Sequence, residues 1–436
     1  MLDLKNKNVL VLGLKKSGCG AVRLLKKINT NIFISDQKEI VRIDGTKYIP
    51  YDDIKKELNL FDIIVKSPGI PDDCDIIKAA KKRKVSVISE IELAYTFIPL
   101  TKVIVGVTGT NGKTTTTSLI TQILKTGNID AVSVGNIGYT LSDAIIDDSQ
   151  SDVFVVELSS FQLMDTLYFK PHISVILNIE PNHLDYHKSY KNYLEAKLKI
   201  LQNITKDSIL IYNADDRMIK SKVKQLKCQK YSFSLRNKCD AYVNDDELRY
   251  DGYSIIKQGE LKLLGRHNLA NVLAAILTAK AFYIENEVIN TALKAFTSLP
   301  HRIQLVRKVN GVSYYNDSKA TNVSSTISAL NAFKQPLVLI LGGYDRDQDF
   351  NKVINHPNTA IIICYGQTKI RIATLAHKAN KTCFLCSNLQ EAVVIATKNT
   401  KTLEIVLFSP SCASWDQYDN YEVRGEHFIS LVNGIN

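Results

Sequence analysis

Short apolar runs alternate with segments of helical hydrophobic spacing along most of the chain. In the first 97 residues the apolar runs predict four strands, Asn8–Leu12, Asn31–Ser35, Phe61–Lys66 and Ser86–Ser89. The segments between them predict helices, one ending near Lys27 and one over Cys74–Lys84. Strands that alternate with helices are typical of a parallel α/β sheet. Residues 1–97 are therefore predicted to form a Rossmann-like domain.

The same alternation continues in two further regions. Residues 98–298 predict strands at Asp152–Leu158, Ile173–Ile179 and Ser208–Tyr212, a polar insertion of short antiparallel strands over Cys228–Lys262, a helix over Asn268–Ala281 and another ending at Ser298. Residues 299–436, beginning at Leu299-Pro300, predict strands at Gly311–Asn316, Leu337–Leu341, Ala360–Tyr365, Thr382–Leu385 and Leu403–Ser409. We expect three α/β domains, of which the C-terminal one is again Rossmann-like, each with ligands at the carboxyl ends of its strands.

Length and charge narrow the function only slightly. A chain of 436 residues exceeds what a single core usually supports, which agrees with several domains. The net charge of +11 would permit nucleic-acid binding. Its excess lysines are scattered over amphipathic helices without interleaved aromatic residues, so we expect no nucleic-acid partner, and the charge also suits polyanionic small ligands.

The start of the chain and its cysteines indicate the compartment. The first apolar run, Val9–Leu12, is too short for a signal-peptide core or a membrane span, so we expect a cytoplasmic protein without membrane attachment. Eight dispersed cysteines suit small core positions in a reducing compartment. Cys383 and Cys386 match C-x-x-C, but no second pair accompanies them, and a metal or redox role is the weaker interpretation.

One strand-to-helix turn has the composition of a phosphate-binding loop. The apolar run Val103–Val107 leads into Gly109-Thr110-Asn111-Gly112-Lys113-Thr114, and helical spacing follows. Glycines let backbone N–H groups face an anion, Lys113 adds a charge and Thr114 can ligate Mg²⁺. Val107 stands where the P-loop pattern has its first glycine, so this is a variant. It predicts a central domain of P-loop ATPase type with a mostly parallel sheet; the alternative is a glycine-rich turn without a ligand.

Two polar residues follow the next strands of this domain. Glu157 ends a buried strand, where a carboxylate would hold Mg²⁺ in a P-loop domain; capping a helix is its alternative role. His183 follows the strand that ends at Ile179. A second metal site and a packed core position remain equally open for this histidine.

Lys197 lies on the apolar stripe of the helix predicted over Ser189–Leu201, in line with Tyr193, Leu194 and Leu201. Burial lowers the pKa of a lysine amine and makes a neutral nucleophile accessible, which could react with CO₂ to form a carbamate. The alternatives are a side chain that extends to solvent or pairs with a carboxylate.

Taken together, several of these motifs resemble the Mur ligases of peptidoglycan synthesis. The stretches that carry the resemblance are Gly109–Thr114, Glu157–Ser160, Asn182–Asp185, Ala196-Lys197, Gly265–Asn271 and His301-Arg302. Asn316–Asn322 and Ser409–Tyr418 resemble the members of the family that add D-glutamate, and the DNPR-type motif of the diaminopimelate-adding members is absent. The resemblance implies an ATP-dependent amide ligase that joins D-glutamate to UDP-N-acetylmuramoyl-L-alanine through an acyl phosphate. It also implies a cytoplasmic monomer.

The resemblance also implies which residues bind ATP and metal. The residues expected to contact ATP are Gly109, Thr110, Asn111, Gly112, Lys113, Thr114, Thr115, Asn268, Asn271, Arg302 and Asp317. Thr114 and Glu157 would hold the nucleotide Mg²⁺, while His183 and a CO₂-derived carbamate on Lys197 would serve a second Mg²⁺. Lys113, Glu157, His183, Lys197 and Lys319 would be the catalytic residues.

The substrate contacts implied by the resemblance fall in all three domains. Lys319, Thr321, Arg346, Ser414 and Tyr421 would surround D-glutamate, with Arg346 where lysine is common and Tyr421 where phenylalanine is common. The residues expected to contact the nucleotide-sugar are Leu14, Lys15, Asp36, Gln37, Ser67, Pro68, Gly69, Asn136, Ser159 and Gln162.

Three other functions compete with this interpretation. Another Mur ligase or a folylpolyglutamate synthetase is the nearest alternative, and the stretches at 316–322 and 409–418 argue against it. A nucleotide-dependent switch or a non-catalytic scaffold would not need Lys113, Glu157, His183, Lys197 and Lys319 together. A nucleic-acid-binding protein would rest on net charge alone.

Overall fold

The computed structural model describes residues 2–37, 42–136, 138–147, 151–400 and 404–435. The chain divides into two compact units, Met1–Gln258 with Leu269–Lys294, and Gly259–Asn268 with Ala295–Asn436. The first unit contains two sheets and the second contains one. The α/β class predicted from the hydrophobic pattern is confirmed.

The first sheet is parallel, with strand order β3-β2-β1-β4-β5. Its strands are β1 (Asn8–Leu12), β2 (Asn31–Ser35), β3 (Lys47–Tyr48), β4 (Ile63–Lys66) and β5 (Ser86–Ile88). The helices of this region are α1 (Lys16–Leu25), α2 (Asp75–Lys82) and α3 (Glu90–Tyr95), with 3₁₀ turns at Tyr51–Asp53 and Leu58–Leu60. The side chains of β1 and β2 are almost wholly buried, as expected for a parallel sheet covered on both faces.

The second sheet has the order β14-β13-β12-β11-β10-β9-β6-β8-β7. Its strands are β6 (Val103–Thr108), β7 (Ala131–Gly135), β8 (Val153–Leu158), β9 (Ile173–Ile176), β10 (Ile209–Asn213), β11 (Gln229–Ser234), β12 (Ala241–Asn244), β13 (Glu247–Tyr250) and β14 (Tyr253–Lys257). Its helices are α4 (Lys113–Thr126), α5 (Leu141–Ile146), α6 (Ser160–Met164), α7 (Leu184–His187), α8 (Tyr190–Leu198), α9 (Arg217–Val223), α10 (Arg266–Ala281) and α11 (Asn286–Ala295), with 3₁₀ turns at Lys199–Leu201 and Gln258–Glu260. Helix α10 runs through the boundary between the two units.

Three predictions for the second sheet need correction. The insertion at 228–262 is antiparallel only over β12–β14, because β11 pairs in parallel with β10 and extends the main sheet. Strand β9 ends at Ile176, three residues before the predicted end, so the residues that follow form a loop. The helix predicted to reach Leu201 ends at Leu198 and tightens into a 3₁₀ turn, which is common at helix termini.

The third sheet has the order β15-β16-β20-β17-β18-β19. Its strands are β15 (Gln304–Val309), β16 (Val312–Asn316), β17 (Leu337–Gly342), β18 (Thr359–Tyr365), β19 (Thr382–Leu385) and β20 (Ile405–Phe408), and its helices are α12 (Val323–Leu330), α13 (Asn351–Ile354), α14 (Lys369–Lys378), α15 (Leu389–Asn399) and α16 (Tyr421–Asn433). Strand β15 was not predicted: it is an antiparallel edge strand, partly exposed and rich in charge, and so lacks an apolar run.

Among the described residues, no helix combines the length and the apolar character that crossing a membrane requires.

Candidate active site

The predicted phosphate loop connects β6 to α4. Gly112 precedes the helix with a φ of +85°, a left-handed conformation that favours glycine. A β-carbon at this position would lie 2.2 Å from Asn271 Oδ1. Asn271 therefore packs directly against the loop, and both features require glycine here.

Asn178 fixes the other side of the loop. Its side-chain oxygen accepts a hydrogen bond from the Asn111 N–H at 2.9 Å, and its amide nitrogen donates to the Asn111 carbonyl at 3.1 Å. The Asn178 carbonyl accepts a third bond, from the Thr110 N–H, at 2.8 Å. Asn178 was predicted only as part of a strand, and its loop position beyond β9 gave no local signal of this role.

Two lysines meet at one carbonyl oxygen of this loop. Lys113 Nζ donates to the carbonyls of Gly109 and Thr110, both at 2.9 Å, and Lys197 Nζ donates to the Gly109 carbonyl at 2.7 Å. Lys197 is only 2% exposed, so its side chain does not extend to solvent. Burial, followed by the nearby Lys113 charge, holds the pKa of the Lys197 amine well below its usual value, and the Glu157 carboxylate offsets this only in part.

Glu157 lies buried at the end of β8. Asn136 Nδ2 donates to Glu157 Oε1 at 2.8 Å, and the Asn136 N–H donates to the Glu157 carbonyl at 2.9 Å. The cap of the following helix, α6, is formed by Ser159 and Gln162 in a reciprocal capping box, so Glu157 does not have the capping role left open by the sequence.

Two histidines lie at the ends of the short helix α7 and differ in environment: His183 caps its start and His187 is its last residue. His187 is the packed one: its Nε2 lies 3.0 Å from Ser160 Oγ, its ring stacks on Phe161, and burial lowers its pKa to about 4. His183 is half-buried and begins α7 with a φ of +52°. In the described part of the chain, no group of three or more His, Cys, Asp or Glu side chains forms a metal cluster.

Part of the predicted nucleotide-sugar site converges at the carboxyl end of the first sheet. The Leu14 N–H donates to Asp36 Oδ2 at 2.7 Å, and Ser67 Oγ donates to the Gly13 carbonyl at 2.7 Å. A β-carbon on Gly18 would lie 1.9 Å from the Gly13 carbonyl, so helix α1 can approach this turn only with glycine there. Lys15, Gln37, Pro68 and Gly69 are sequence neighbours of these residues, whereas the predicted contacts Asn136, Ser159 and Gln162 lie in the region of the second sheet.

In the second unit, Asp317 follows β16 and is buried. It accepts a hydrogen bond from Ser409 Oγ at 2.7 Å and from the Ile303 N–H at 3.2 Å, and burial raises the pKa of its carboxyl to about 7. Asn268 Nδ2 donates to the Leu264 carbonyl at 2.7 Å. His267 lies near the charge of Arg302. Burial is the larger cause and the Arg302 charge the smaller one that together lower the pKa of His267 to about 4.

The predicted D-glutamate residues lie around helix α16 and the loops beside it. Lys319 Nζ lies 3.5 Å from the centre of the Tyr421 ring, a cation–π contact. The Thr321 N–H donates to the Lys319 carbonyl at 2.9 Å, and Ser414 is buried. The Arg346 guanidinium lies 4.3 Å from the Trp415 ring centre.

Arg424 was missed by the sequence analysis although it organises this region. It is fully buried, and its guanidinium donates to Ser318 Oγ at 3.0 Å and to the carbonyls of Ser318 and Cys412 at 2.7 and 3.0 Å. It thereby joins the 316–322 and 409–418 stretches. A charged residue in a helix ordinarily predicts an exposed face, so the sequence carried no signal for it.

Comparison with known proteins agrees with this geometry. Residues 107–279 match the Mur ligase middle domain, and residues 301–412 match the Mur ligase glutamate ligase domain. A UDP-N-acetylmuramoylalanine--D-glutamate ligase from Oenococcus oeni is 40% identical over 435 residues, covering 99% of this chain and 98% of that protein. The chain belongs to the Mur ligase family.

Further relatives support this membership. A Staphylococcus saprophyticus protein of the same name is 40% identical and covers 98% of this chain and 96% of its own length. A solved structure of a MurF ligase from Thermotoga maritima, in complex with ADP, aligns with a TM-score of 0.64 at 16% identity, covering 98% of this chain and 95% of that one. That likeness concerns the fold, and it confirms the predicted architecture of this Mur ligase family member.

Proposed function

We propose that the protein is an ATP-dependent ligase that joins D-glutamate to UDP-N-acetylmuramoyl-L-alanine in peptidoglycan precursor synthesis. The ATP-activated group would be the L-alanyl carboxylate, as an acyl phosphate, which the amine of D-glutamate then attacks. The observation that carries the proposal is the convergence of Lys113, Lys197, Glu157 and Asn136 around one phosphate loop. The relatives that are 40% identical over nearly their whole length share the corresponding name.

The phosphate loop fits a nucleotide with Mg²⁺. Gly112 lets Asn271 pack directly against the loop, and the N-terminus of the long helix α4 follows it, which favours phosphate oxygens. Thr114, in the first turn of that helix, and Glu157 offer the hard oxygen ligands that Mg²⁺ prefers. We assign Gly109–Thr115 and Asn271 to ATP, and Thr114 and Glu157 to the nucleotide Mg²⁺.

A second Mg²⁺ would be held by His183 and a carbamate on Lys197. The lowered pKa of the Lys197 amine supports this chemistry, because a neutral amine is the form that reacts with CO₂. A carbamate would place an anion beside the Lys113 cation, an attraction where a protonated Lys197 would be repelled. Bound Mg²⁺ would neutralise charge on the transferred phosphoryl group.

The other residues of the first unit would orient the phosphates, the Glu157 carboxylate and the nucleotide-sugar. Lys113 would place its charge on the phosphate oxygens, and the hydrogen bonds of Thr110 and Asn111 to Asn178 would keep the loop backbone in place during the reaction. Asn136 would orient the Glu157 carboxylate through its side-chain hydrogen bond. Leu14, Lys15, Asp36, Gln37, Ser67, Pro68, Gly69, Asn136, Ser159 and Gln162 are assigned to the nucleotide-sugar.

The second unit would supply the remaining contacts. Lys319, Thr321, Arg346, Ser414 and Tyr421 are assigned to D-glutamate, and Asn268, Arg302 and Asp317 to ATP. Lys319 and Arg346, each over an aromatic ring, provide cations suited to the two carboxylates of glutamate. Arg424 holds the backbone on which these side chains stand.

Domain limits, oligomeric state and location complete the proposal. We propose three domains at 1–97, 98–298 and 299–436, a monomer in solution, and activity in the cytoplasm. Light scattering on the purified protein at several concentrations tests the oligomeric state, and a mass corresponding to two or more chains would contradict it.

The function is tested by phosphate release from ATP. The protein is mixed with UDP-N-acetylmuramoyl-L-alanine and D-glutamate, L-glutamate or no amino acid, at matched Mg²⁺ and bicarbonate. We expect release only when the nucleotide-sugar and D-glutamate are both present. Release with a different amino acid would indicate a sister ligase, and release that ignores the amino acid would indicate a nucleotide-dependent switch.

A further inference from the structure

A buried polar cluster lies beside the Ser67-Pro68-Gly69 loop, outside the residues assigned so far. At its centre is Lys66, the last residue of β4, whose side chain is 0% exposed. Lys66 Nζ forms ion pairs with Asp72 Oδ1 at 2.5 Å and with Asp165 Oδ2 at 2.9 Å. It also donates to the Ile70 carbonyl at 3.1 Å. The amine therefore contacts both ends of the segment that follows the loop.

The cluster connects the two sheets of the first unit. Asp165 follows α6 and Tyr186 belongs to α7, both in the second sheet's region. The Tyr186 hydroxyl donates to the Ile70 carbonyl at 3.0 Å, and Lys66 Nζ lies 3.4 Å from the same hydroxyl. The Ile70 carbonyl is thus held by Lys66 from the first sheet and by Tyr186 from the region of the second sheet.

The charges of this cluster are balanced. Asp72 also pairs with Lys81, so two amines face two carboxylates. Burial alone would lower the pKa of the Lys66 amine, but the carboxylates of Asp165 and Asp72 outweigh burial and hold it above its usual value. Lys66 therefore stays protonated, which suits a structural cation and not a nucleophile.

The neighbouring cleft gives no independent ligand site. It has a volume of about 480 Å³ and is lined in part by Asp73, Lys188 and Lys199. Lys188 pairs with Asp73, and Lys199 Nζ donates to two backbone carbonyls. Two of the three lysines that line the cleft are thus already engaged, so the cluster itself is the feature to explain.

We propose that Lys66 and Tyr186 are positioning residues that hold the Ser67–Asp72 segment in the conformation that binds the nucleotide-sugar. The inference rests on the proposed function, since it takes that segment as part of the nucleotide-sugar site. Lys66, at the end of a strand of the first sheet, donates a hydrogen bond to the Ile70 carbonyl of this segment. Tyr186, in the region of the second sheet, donates to the same carbonyl. Neither side chain needs to touch the substrate.

The decisive variant is Tyr186→Phe, which removes one hydroxyl and keeps the ring that packs against Phe161. Binding of UDP-N-acetylmuramoyl-L-alanine is measured by titration calorimetry. We expect the dissociation constant to rise roughly three- to tenfold, the equivalent of one hydrogen bond. At saturating nucleotide-sugar, kcat should stay within about twofold, because this segment positions substrate and not the phosphate loop. Tyr168→Phe, at an exposed tyrosine, is the matched control and should change nothing.

A second variant, Lys66→Met, removes the central cation. If it folds, we expect a larger rise in the dissociation constant than Tyr186→Phe produces. Lys81→Met, which removes the exposed partner of Asp72, is its control. If Lys66→Met fails to fold, Tyr186→Phe decides the question alone.

The outcomes separate this inference from the proposed function. An unchanged dissociation constant in Tyr186→Phe, with or without a lower melting temperature, would overturn the positioning role. Wild-type protein that binds the nucleotide-sugar but does not require D-glutamate for turnover would overturn the proposed function, while the binding comparison would still test the inference. Wild-type protein that does not bind the nucleotide-sugar would overturn both.

Discussion

Lys197 and Lys66 are both buried lysines of the first unit, and their surroundings give them opposite chemistry. Lys197 is 2% exposed and Lys66 is 1% exposed, so burial does not distinguish them. Lys66 faces two carboxylates, whereas Lys197 faces the Gly109 carbonyl and the amine of Lys113. The pKa of Lys66 is raised and the pKa of Lys197 is lowered.

This contrast shows what a buried lysine needs in order to become reactive. Removing an amine from water always favours its neutral form, and only a nearby anion restores the charge. The phosphate-loop region provides a second cation, Lys113, whose effect and that of burial the Glu157 carboxylate offsets only in part, and this leaves Lys197 as a nucleophile. The Lys66 cluster provides anions, which leaves Lys66 as a fixed cation. Four substitutions test this contrast.

The largest effect is expected for Lys197→Ala. Losing the carbamate ligand should lower kcat by a factor on the order of 10²–10³, the usual cost of removing one group that stabilises the transition state. Added formate or acetate should restore part of the activity by replacing the missing carboxylate. Lys191→Ala, at an exposed position of the same helix, is the control. Full activity of Lys197→Ala without additive would refute the carbamate.

The next effect concerns folding, through Lys66→Met. Removing this cation leaves Asp165 buried without its partner, so we expect a loss of about 3–5 kcal/mol in the free energy of unfolding. Lys81→Met breaks an exposed pair with Asp72 and should cost less than about 1 kcal/mol. The melting temperatures of both variants are measured by calorimetry. Equal melting temperatures for Lys66→Met and Lys81→Met would show that the buried ion pair contributes no more to stability than the exposed one.

Glu90 extends the contrast to a buried carboxyl without a cation. Its Oε1 accepts the Ser142 N–H at 2.7 Å, and burial raises its pKa to about 7. Because the fold favours the protonated form, this carboxyl stabilises the protein below its ordinary pKa of 4.5, and the contribution is lost as the pH rises through 7.

Glu90→Gln should remove that pH dependence. Relative to this variant, wild type should lose up to about 3 kcal/mol of stability between pH 4.5 and pH 7. Melting temperatures measured at both ends of this range give the difference. Glu57→Gln, at an exposed carboxyl, should follow wild type at every pH. Parallel curves for wild type and Glu90→Gln would refute the raised pKa.

The smallest effect is expected for Lys319, whose charge contacts an aromatic ring. Tyr421→Leu removes the ring beneath Lys319 and should raise KM for D-glutamate roughly fivefold, in line with a cation–π contact worth about 1 kcal/mol. Tyr421→Phe keeps the ring and should behave like wild type. A rise in KM for Tyr421→Phe equal to that of Tyr421→Leu would assign the effect to the hydroxyl.

The sequence was sufficient to predict those parts of the fold and of the candidate site that depend on residues close together in the chain. Helical spacing was enough to place Lys197 inside, and glycine spacing was enough to predict the turn before α4. Both signals lie within about fifteen consecutive residues. The parallel sheets followed from apolar runs in the same way.

Long-range partners could not be predicted. Asn178 contacts a loop 67 residues earlier in the chain, and Arg424 contacts Ser318 across 106 residues. Nothing in the sequence around either residue specifies its partner, since only the folded sheet brings them together. The same reason hid Lys66, which by sequence is simply the last residue of an apolar strand.

The left-handed backbone at His183 affects how its replacement would be interpreted. Asparagine and histidine enter this region more readily than most residues, whereas alanine has no side-chain group to stabilise it. An alanine variant would combine the loss of the imidazole with a backbone penalty at the start of α7. His183→Asn keeps the local geometry, so it isolates the imidazole. Over evolutionary time, the same constraint would limit the exchanges tolerated at this position to residues that adopt the left-handed region readily, such as asparagine, aspartate and glycine.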